Sequence, residues 1–350
     1  MPIIKIFLPT LVTFIIGILI TPLISHFLYK YKCWKKKSVV ATTDGRTATI
    51  SQKLHNDEER KTPRMGGLIV WLSAGLTILI FWLLSFFDSI FFIKANFLSR
   101  SQTWLPIFTL ILGGLFGLID DYFSVIERYD QKAGGLSSKK RLLMVFIFGL
   151  IGAWWFAAKL GTTDIFVPFY GLLNLNWIIF SILFVLVMLG TYSGGVIDGL
   201  DGLSGGVFSL IFSSYGLLAL LQNQIDLAAF CFVVVGGLLA FLWFNIPPAR
   251  FFLSETGIMA LTTCLVVVAF LSKQVIVLPI IAFLLLISSL SSSIQLLSKK
   301  FRHGKKVFLV APLHHHFQAK GWPATKVVMR YWIIGSMCAT LGIIIVLLGQ

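Results

Sequence analysis

Fourteen carboxylates stand in a chain of 350 residues, and several lie where the surrounding apolar sequence gives no ordinary reason for a charge. Gly117-Leu-Ile-Asp-Asp-Tyr122 places Asp120 and Asp121 directly after a long apolar run. Adjacent carboxylates repel unless a cation or a proton intervenes, and a hard divalent cation such as Mg²⁺ takes oxygen ligands of this kind. A plain helix end needs only one acid, so the pair points to function. The segment 193–206 carries Asp198 and Asp201 among six glycines, with no lysine or arginine beside them. Three residues apart, these acids share one face if the segment is helical, and glycine lets a backbone approach a ligand closely. In Phe244-Asn-Ile-Pro-Pro-Ala-Arg-Phe-Phe-Leu-Ser-Glu-Thr-Gly257 the proline pair ends a helix and Glu255 opens the next. An acid there also suits the helix dipole, so a structural account stands beside the functional one. The fourth constellation is Ala311-Pro-Leu-His-His-His-Phe-Gln-Ala-Lys-Gly-Trp322. Successive helical residues turn by about 100°, so three adjacent histidines cannot face one point. An irregular segment that offers one or two of them to a metal or a phosphate is expected.

The elements that must position these groups are membrane helices. The chain is 57% hydrophobic and 12% charged, with a mean hydropathy of +0.90, whereas a soluble domain carries about 25% charged residues. A crossing needs about 20 mostly apolar residues. Ten candidates lie near 6–29, 66–87, 104–121, 142–159, 176–193, 205–222, 226–243, 256–272, 275–297 and 328–349. The first is too long for a signal sequence and reads as a retained span. The expectation is an all-α integral membrane protein of about ten transmembrane helices, one polytopic catalytic domain over 1–350.

Ten crossings put both termini on one side, and the loops divide into two sets. One set (30–64, 120–141, 193–205, 244–256 and 298–330) holds 24 of the 29 lysines and arginines, and the other holds the remaining five. The positive-inside rule makes the first set cytoplasmic and both termini external. All four constellations fall on that face, although no acid or histidine entered the assignment. Topology and attraction to anionic membrane lipid account for the net charge of +15, so no nucleic-acid partner is inferred. The four cysteines form no C-x-x-C pair. No Walker A pattern occurs, nor a strand ahead of G-x-G-x-x-G. Carboxylates for Mg²⁺, with histidine and lysine for phosphate charge, are what phosphoryl transfer requires. Their place at the membrane edge implies one lipid and one soluble substrate.

At these motifs the chain resembles the polyprenyl-phosphate N-acetylhexosamine-1-phosphate transferase superfamily, and within it the phospho-N-acetylmuramoyl-pentapeptide transferase family. The resemblance runs from about Thr62 to the C-terminus. It rests on Thr62-Pro-Arg-Met-Gly-Gly67, Leu118-Ile-Asp-Asp-Tyr122, Asp198-Gly-Leu-Asp-Gly-Leu203, Phe241-Leu-Trp-Phe-Asn245 and, most specifically, Ala311-Pro-Leu-His-His-His-Phe317 with Lys320-Gly-Trp-Pro323. It implies a Mg²⁺-dependent enzyme of the bacterial inner membrane with a cytoplasmic active site. Phospho-N-acetylmuramoyl-pentapeptide would pass from its UDP-linked precursor to undecaprenyl phosphate, releasing UMP and forming lipid I for peptidoglycan; a homodimer is the implied assembly. By matching motif, Asp120, Asp121, Asp198 and His314 are the implied catalytic residues, with Asp120 the base or the activator of the lipid phosphate. Asn245, Phe252, Asp201, His315, His316 and Arg141 are implied in substrate binding, and Glu255 with Asp121 in holding the metal.

The chain departs from the family pattern at several positions. Ser254-Glu255 stands where Gly-Asp is usual, and Mg²⁺ tolerates little distortion of its octahedral shell. Gly195 replaces an asparagine, Gly134 a lysine, and Arg141 a lysine whose charge alone it keeps. Asp57-Glu-Glu-Arg-Lys61 replaces a lysine-and-glycine pattern. Rival readings are a transferase for UDP-N-acetylglucosamine, an ion-conducting protein with acids through the bilayer depth, and a catalytically impaired relative kept as a scaffold.

Overall fold

The computed structural model describes residues 2–34, 61–87, 90–126 and 135–349. Apolar runs become helices because a backbone in lipid must satisfy its hydrogen bonds within its own segment. In chain order these are α1 (Pro2–Lys30), α2 (Gly67–Leu84), the short α3 (Ile90–Ala95), α4 (Trp104–Ile126) and α5 (Ser138–Trp154), which continues as a π-helical turn, Trp155–Leu160. After a hairpin of β1 (Asp164–Val167) and β2 (Gly171–Asn174) come α6 (Trp177–Ser193), a 3₁₀ turn (Gly194–Ile197), α7 (Leu203–Leu221), α8 (Ile225–Asn245) and α9 (Ser254–Leu271). The chain ends with α10 (Leu278–Ile281), α11 (Phe283–Phe301), α12 (Leu313–Ala319) and α13 (Ala324–Leu348). Among the described residues, nine helices are long and apolar enough to cross a membrane. The protein is an all-α integral membrane protein.

At its centre is α9, whose residues from Thr256 to Phe270 are all buried. Glycines let its neighbours touch its backbone. A Cβ on Gly117 of α4 would collide with the Glu255 carbonyl, and one on Gly67 of α2 would collide with Gly257. The outer helices turn large apolar side chains outward, as Leu11, Leu19 and Leu23 do on α1, in the manner of a surface that meets lipid.

Three features differ from the sequence expectation. The 160–176 connection holds a two-stranded antiparallel ladder in which Asp164 faces Asn174. Positive φ at Phe169 and Gly171 makes its turn, and Lys273 fixes it to the start of the 272–277 loop by pairing with Asp164 at 3.1 Å. Second, α4 runs to Ile126 rather than ending near 121, so Asp120 and Asp121 lie within a helix rather than after one. Third, the span expected at 275–297 is broken at Ala282 into α10 and α11. It still runs antiparallel beside α13, with Ile281 against Gly342 and Leu284 against Gly335. Its inner face carries a stripe of Ser288, Ser291, Gln295 and Ser298, while Leu286, Leu290 and Ile294 point outward. That polar stripe lowers its hydropathy below that of the nine apolar spans.

A labelling experiment distinguishes the crossing counts. In a cysteine-free background, Ile3→Cys and Gly349→Cys should both react with an impermeant maleimide added outside intact cells, while Lys306→Cys should not. Ile3 and Gly349 on opposite sides would mean that α10 and α11 do not together cross.

Candidate active site

The first turn of α9 gathers the acids. Asp121 is fully buried, and its Oδ2 accepts the Thr256 amide at 2.9 Å, the Thr256 hydroxyl at 2.7 Å and the Ser254 hydroxyl at 2.5 Å. Its Oδ1 accepts the Arg64 Nε at 2.9 Å. A carboxylate across a helix N-terminus satisfies amides that have no partner within the helix and meets the positive end of the dipole. Asp198 is held from the same turn, its Oδ2 accepting the Ser254 amide at 2.8 Å and its Oδ1 the Ser204 hydroxyl at 2.7 Å. Removal from water pushes the Asp198 carboxyl above the usual carboxylate range, against the opposing pull of those two donors.

Asp120 and Glu255 form the other half of the cluster. Asp120, also buried, accepts the Leu136 amide at 2.7 Å through Oδ1. The Arg141 Nε lies 3.8 Å from that oxygen and donates to the Leu136 carbonyl at 3.1 Å. The other arm of Arg141 is paired closely with Glu255 Oε1, and the Tyr192 hydroxyl donates to Glu255 Oε2 at 3.1 Å. Four carboxylates thus surround two guanidinium groups. The excess negative charge and the all-oxygen donor set suit one hard divalent cation. Among the described residues, no three His, Cys, Asp or Glu side chains converge as a ready-made metal shell.

Asp198 and Asp201 do not share a helical face as their spacing suggested. Gly202, at φ +78°, turns the chain between the 3₁₀ turn and α7, and Asp201 Oδ2 instead accepts the Ala249 amide at 3.0 Å. Asn245 spans the same two loops: its Oδ1 accepts the Gly202 amide at 2.9 Å and its Nδ2 donates to the Phe251 carbonyl at 2.8 Å. Phe252 is half-buried; its backbone pairs with Pro63 and Gly66, so the Thr62–Gly67 motif is a strap over the entrance to α9.

The histidines sit on α12, a regular seven-residue helix rather than an irregular segment. Pro312, in extended conformation at its N-cap, lets the helix begin at once. His314 and His315 both turn toward Gly199, where an added Cβ would lie 2.5 Å and 2.7 Å from their Nε2 atoms. His316 turns away and accepts the Leu309 amide at 3.2 Å. His315 also meets Gln318, at 2.8 Å. His314 is fully buried, and neither ring nitrogen has a hydrogen-bond partner among the described residues. Burial, then the neighbouring His315, pushes its imidazole well below the usual range, so it is neutral at physiological pH.

The site therefore unites Asp120, Asp121, Asp198, Glu255, Arg141 and His314, with Asp201, Asn245 and Phe252 shaping the adjoining loops. Arg64, Tyr192, Ser204, Ser254 and Thr256 went unassigned in the sequence reading. The one local signal was the hydroxyl pair flanking Glu255. The departures at 57–60 and Gly134 lie outside the described residues.

Comparison with known proteins gives the family. Residues 103–273 match the family described as Glycosyl transferase family 4, a stretch that contains all four clustered acids. The phospho-N-acetylmuramoyl-pentapeptide-transferase of Anoxybacillus flavithermus is 34% identical over 334 residues, 95% of each chain. The protein of that name from Bacillus thuringiensis is 33% identical over 339 residues, again 95% of each. The chain belongs to the phospho-N-acetylmuramoyl-pentapeptide-transferase family. The similarity to these relatives, over 95% of the chain, extends well beyond the 103–273 stretch.

Two measurements test the electrostatics of this family member. Asp121→Asn removes the charge opposite Arg64 and should lower stability by about 2–4 kcal/mol, less than a fully buried pair because Arg64 keeps some solvent access; thermal unfolding in detergent reads it. His314 should make stability fall as pH drops below 6.5, because the unfolded chain then takes up a proton that the native site refuses. The slope should approach about 1.4 kcal/mol per pH unit. His314→Gln should flatten that part of the curve, and an unchanged curve would show that His314 is not held neutral.

Proposed function

We propose that this protein transfers phospho-N-acetylmuramoyl-pentapeptide from its UDP-linked precursor to undecaprenyl phosphate, forming lipid I and releasing UMP at the cytoplasmic face of the inner membrane. The observation that carries the reading is the cluster of Asp120, Asp121, Asp198 and Glu255 around two arginines, in a chain aligned nearly end to end with relatives of that name.

In this reading an oxygen of the lipid phosphate attacks the sugar-bound phosphorus, and the bond from that phosphorus to the bridging oxygen breaks as UMP leaves. Asp120 takes the proton from the lipid phosphate, its Oδ1 held by the Leu136 amide. Arg141, already between Asp120 and Glu255, meets the charge of the diphosphate. Neutral His314, turned toward Gly199 next in the chain to Asp198, offers either a donor or an acceptor without adding charge. Asp201, Asn245 and Phe252 set the loop wall that seats the nucleotide, and His315 and His316 lie on the helix that closes this side. Glu255, with Asp121 through the oxygen it shares with Arg64, would hold Mg²⁺. The ion would supply positive charge to the oxygens of the transferring phosphate.

Purified protein supplied with undecaprenyl phosphate and UDP-N-acetylmuramoyl-pentapeptide should release UMP, and chelation of Mg²⁺ should stop it. Asp120→Asn should lower turnover at least about 100-fold, the scale of a lost general base. Lipid-linked product from UDP-N-acetylglucosamine alone would overturn the substrate assignment. The absence of UMP from both nucleotides would leave the chain a scaffold.

A further inference from the structure

We propose that Tyr192 is a positioning residue that presents Glu255 to a divalent cation; this rests on the reading of Glu255 as a metal ligand. Glutamate reaches its carboxylate through one more rotatable bond than aspartate, and a cation with a strict octahedral shell gains little from a ligand that wanders. Here the side chain is fixed from two directions. Arg141, in the first turn of α5, holds Oε1, and Tyr192, in the last turn of α6, holds Oε2 at 3.1 Å. The carboxylate itself hangs from the first turn of α9. Three helices thus meet at one carboxylate.

The two restraints do different work. Arg141 is shared, with Asp120 lying 3.8 Å from its Nε, so on its own it would draw Glu255 toward Asp120 and neutralise it. The phenol donates a hydrogen bond without cancelling the charge. It uses one lone pair of Oε2 and leaves the other in place. Neutral donors that orient a ligating carboxylate commonly change metal affinity 10–100-fold when removed. Tyr192→Phe keeps the ring and its packing and deletes only this donor.

The test uses the full-length protein in detergent, with Mn²⁺ as a paramagnetic substitute for Mg²⁺ and free Mn²⁺ followed by electron paramagnetic resonance. Glu255→Gln should weaken binding strongly, and Tyr192→Phe should weaken it about tenfold while the protein still unfolds cooperatively, at a slightly lower melting temperature. The double variant should bind no more weakly than Glu255→Gln alone, because the hydroxyl acts only through the carboxylate. Wild-type affinity or tighter binding in Tyr192→Phe would overturn the proposal while leaving Glu255 a ligand. So would a tenfold loss that persists in the Glu255→Gln background. Undiminished binding in Glu255→Gln would instead sink the ligand reading, and this inference with it.

Discussion

Every part of the site depends on one constraint: acids that leave water at the edge of a membrane must each find donors, and the first turn of α9 supplies four of these, to two of the acids. Ser254 and Thr256 offer two amides and two hydroxyls to Asp121 and Asp198, which join the chain near residue 120 to that near 200. Four carboxylates without these contacts and the two arginines would be prohibitive, since a lone buried charge costs several kcal/mol even after relaxation. The packing follows from this need. Asp121 reaches the α9 terminus only because Gly117, one helical turn earlier, lets α4 lie against the Glu255 carbonyl, and Gly67 brings α2 equally close. The same approach delivers Arg64, three residues before Gly67, to Asp121.

Much of this architecture was legible in the sequence because it is written in local patterns. Apolar runs of about 20 residues place the spans. Adjacent acids in apolar sequence announce Asp120 and Asp121. What escaped is non-local. The partners of Asp121 lie 57, 133 and 135 residues away, and no periodicity encodes such a pairing. The end of α4 was misjudged for the same reason. Two acids look like a helix terminus until Arg64 and the α9 turn satisfy Asp121 inside it and the Leu136 amide satisfies Asp120.

Asp198 and Asp201 show how a short motif can mislead on geometry while remaining informative on function. Their spacing fits a helix, but the glycines that make the segment distinctive also keep it from being one. Gly202 adopts a left-handed conformation, and the two acids separate toward different partners, one to the α9 turn and one to the loop after α8. The histidine triplet is the converse case. Helical geometry correctly excluded convergence of all three on one point. It did not exclude the helix itself, which turns His314 and His315 toward Gly199 and His316 away.

The Ser254-Glu255 pair bears most directly on whether this member has kept a working site. Ser254 sits at φ +53°, a conformation that glycine adopts freely and that costs other residues about 1–2 kcal/mol. A serine there is not neutral, so something must offset it. Its hydroxyl donates to Asp121 and accepts the Met65 amide at 2.8 Å, and a hydrogen bond to a charged group contributes about 1.5–3 kcal/mol. The gain is of the size of the strain. Glu255 is accommodated likewise, its extra length taken up between Arg141 and Tyr192. A scaffold with no use for the charge would be more stable with this carboxylate replaced by an apolar side chain, because buried ion pairs seldom improve on good packing. Both departures are instead built into hydrogen bonds that hold the Asp121 and Glu255 carboxyls in place, which is the arrangement a phosphoryl-transfer site needs.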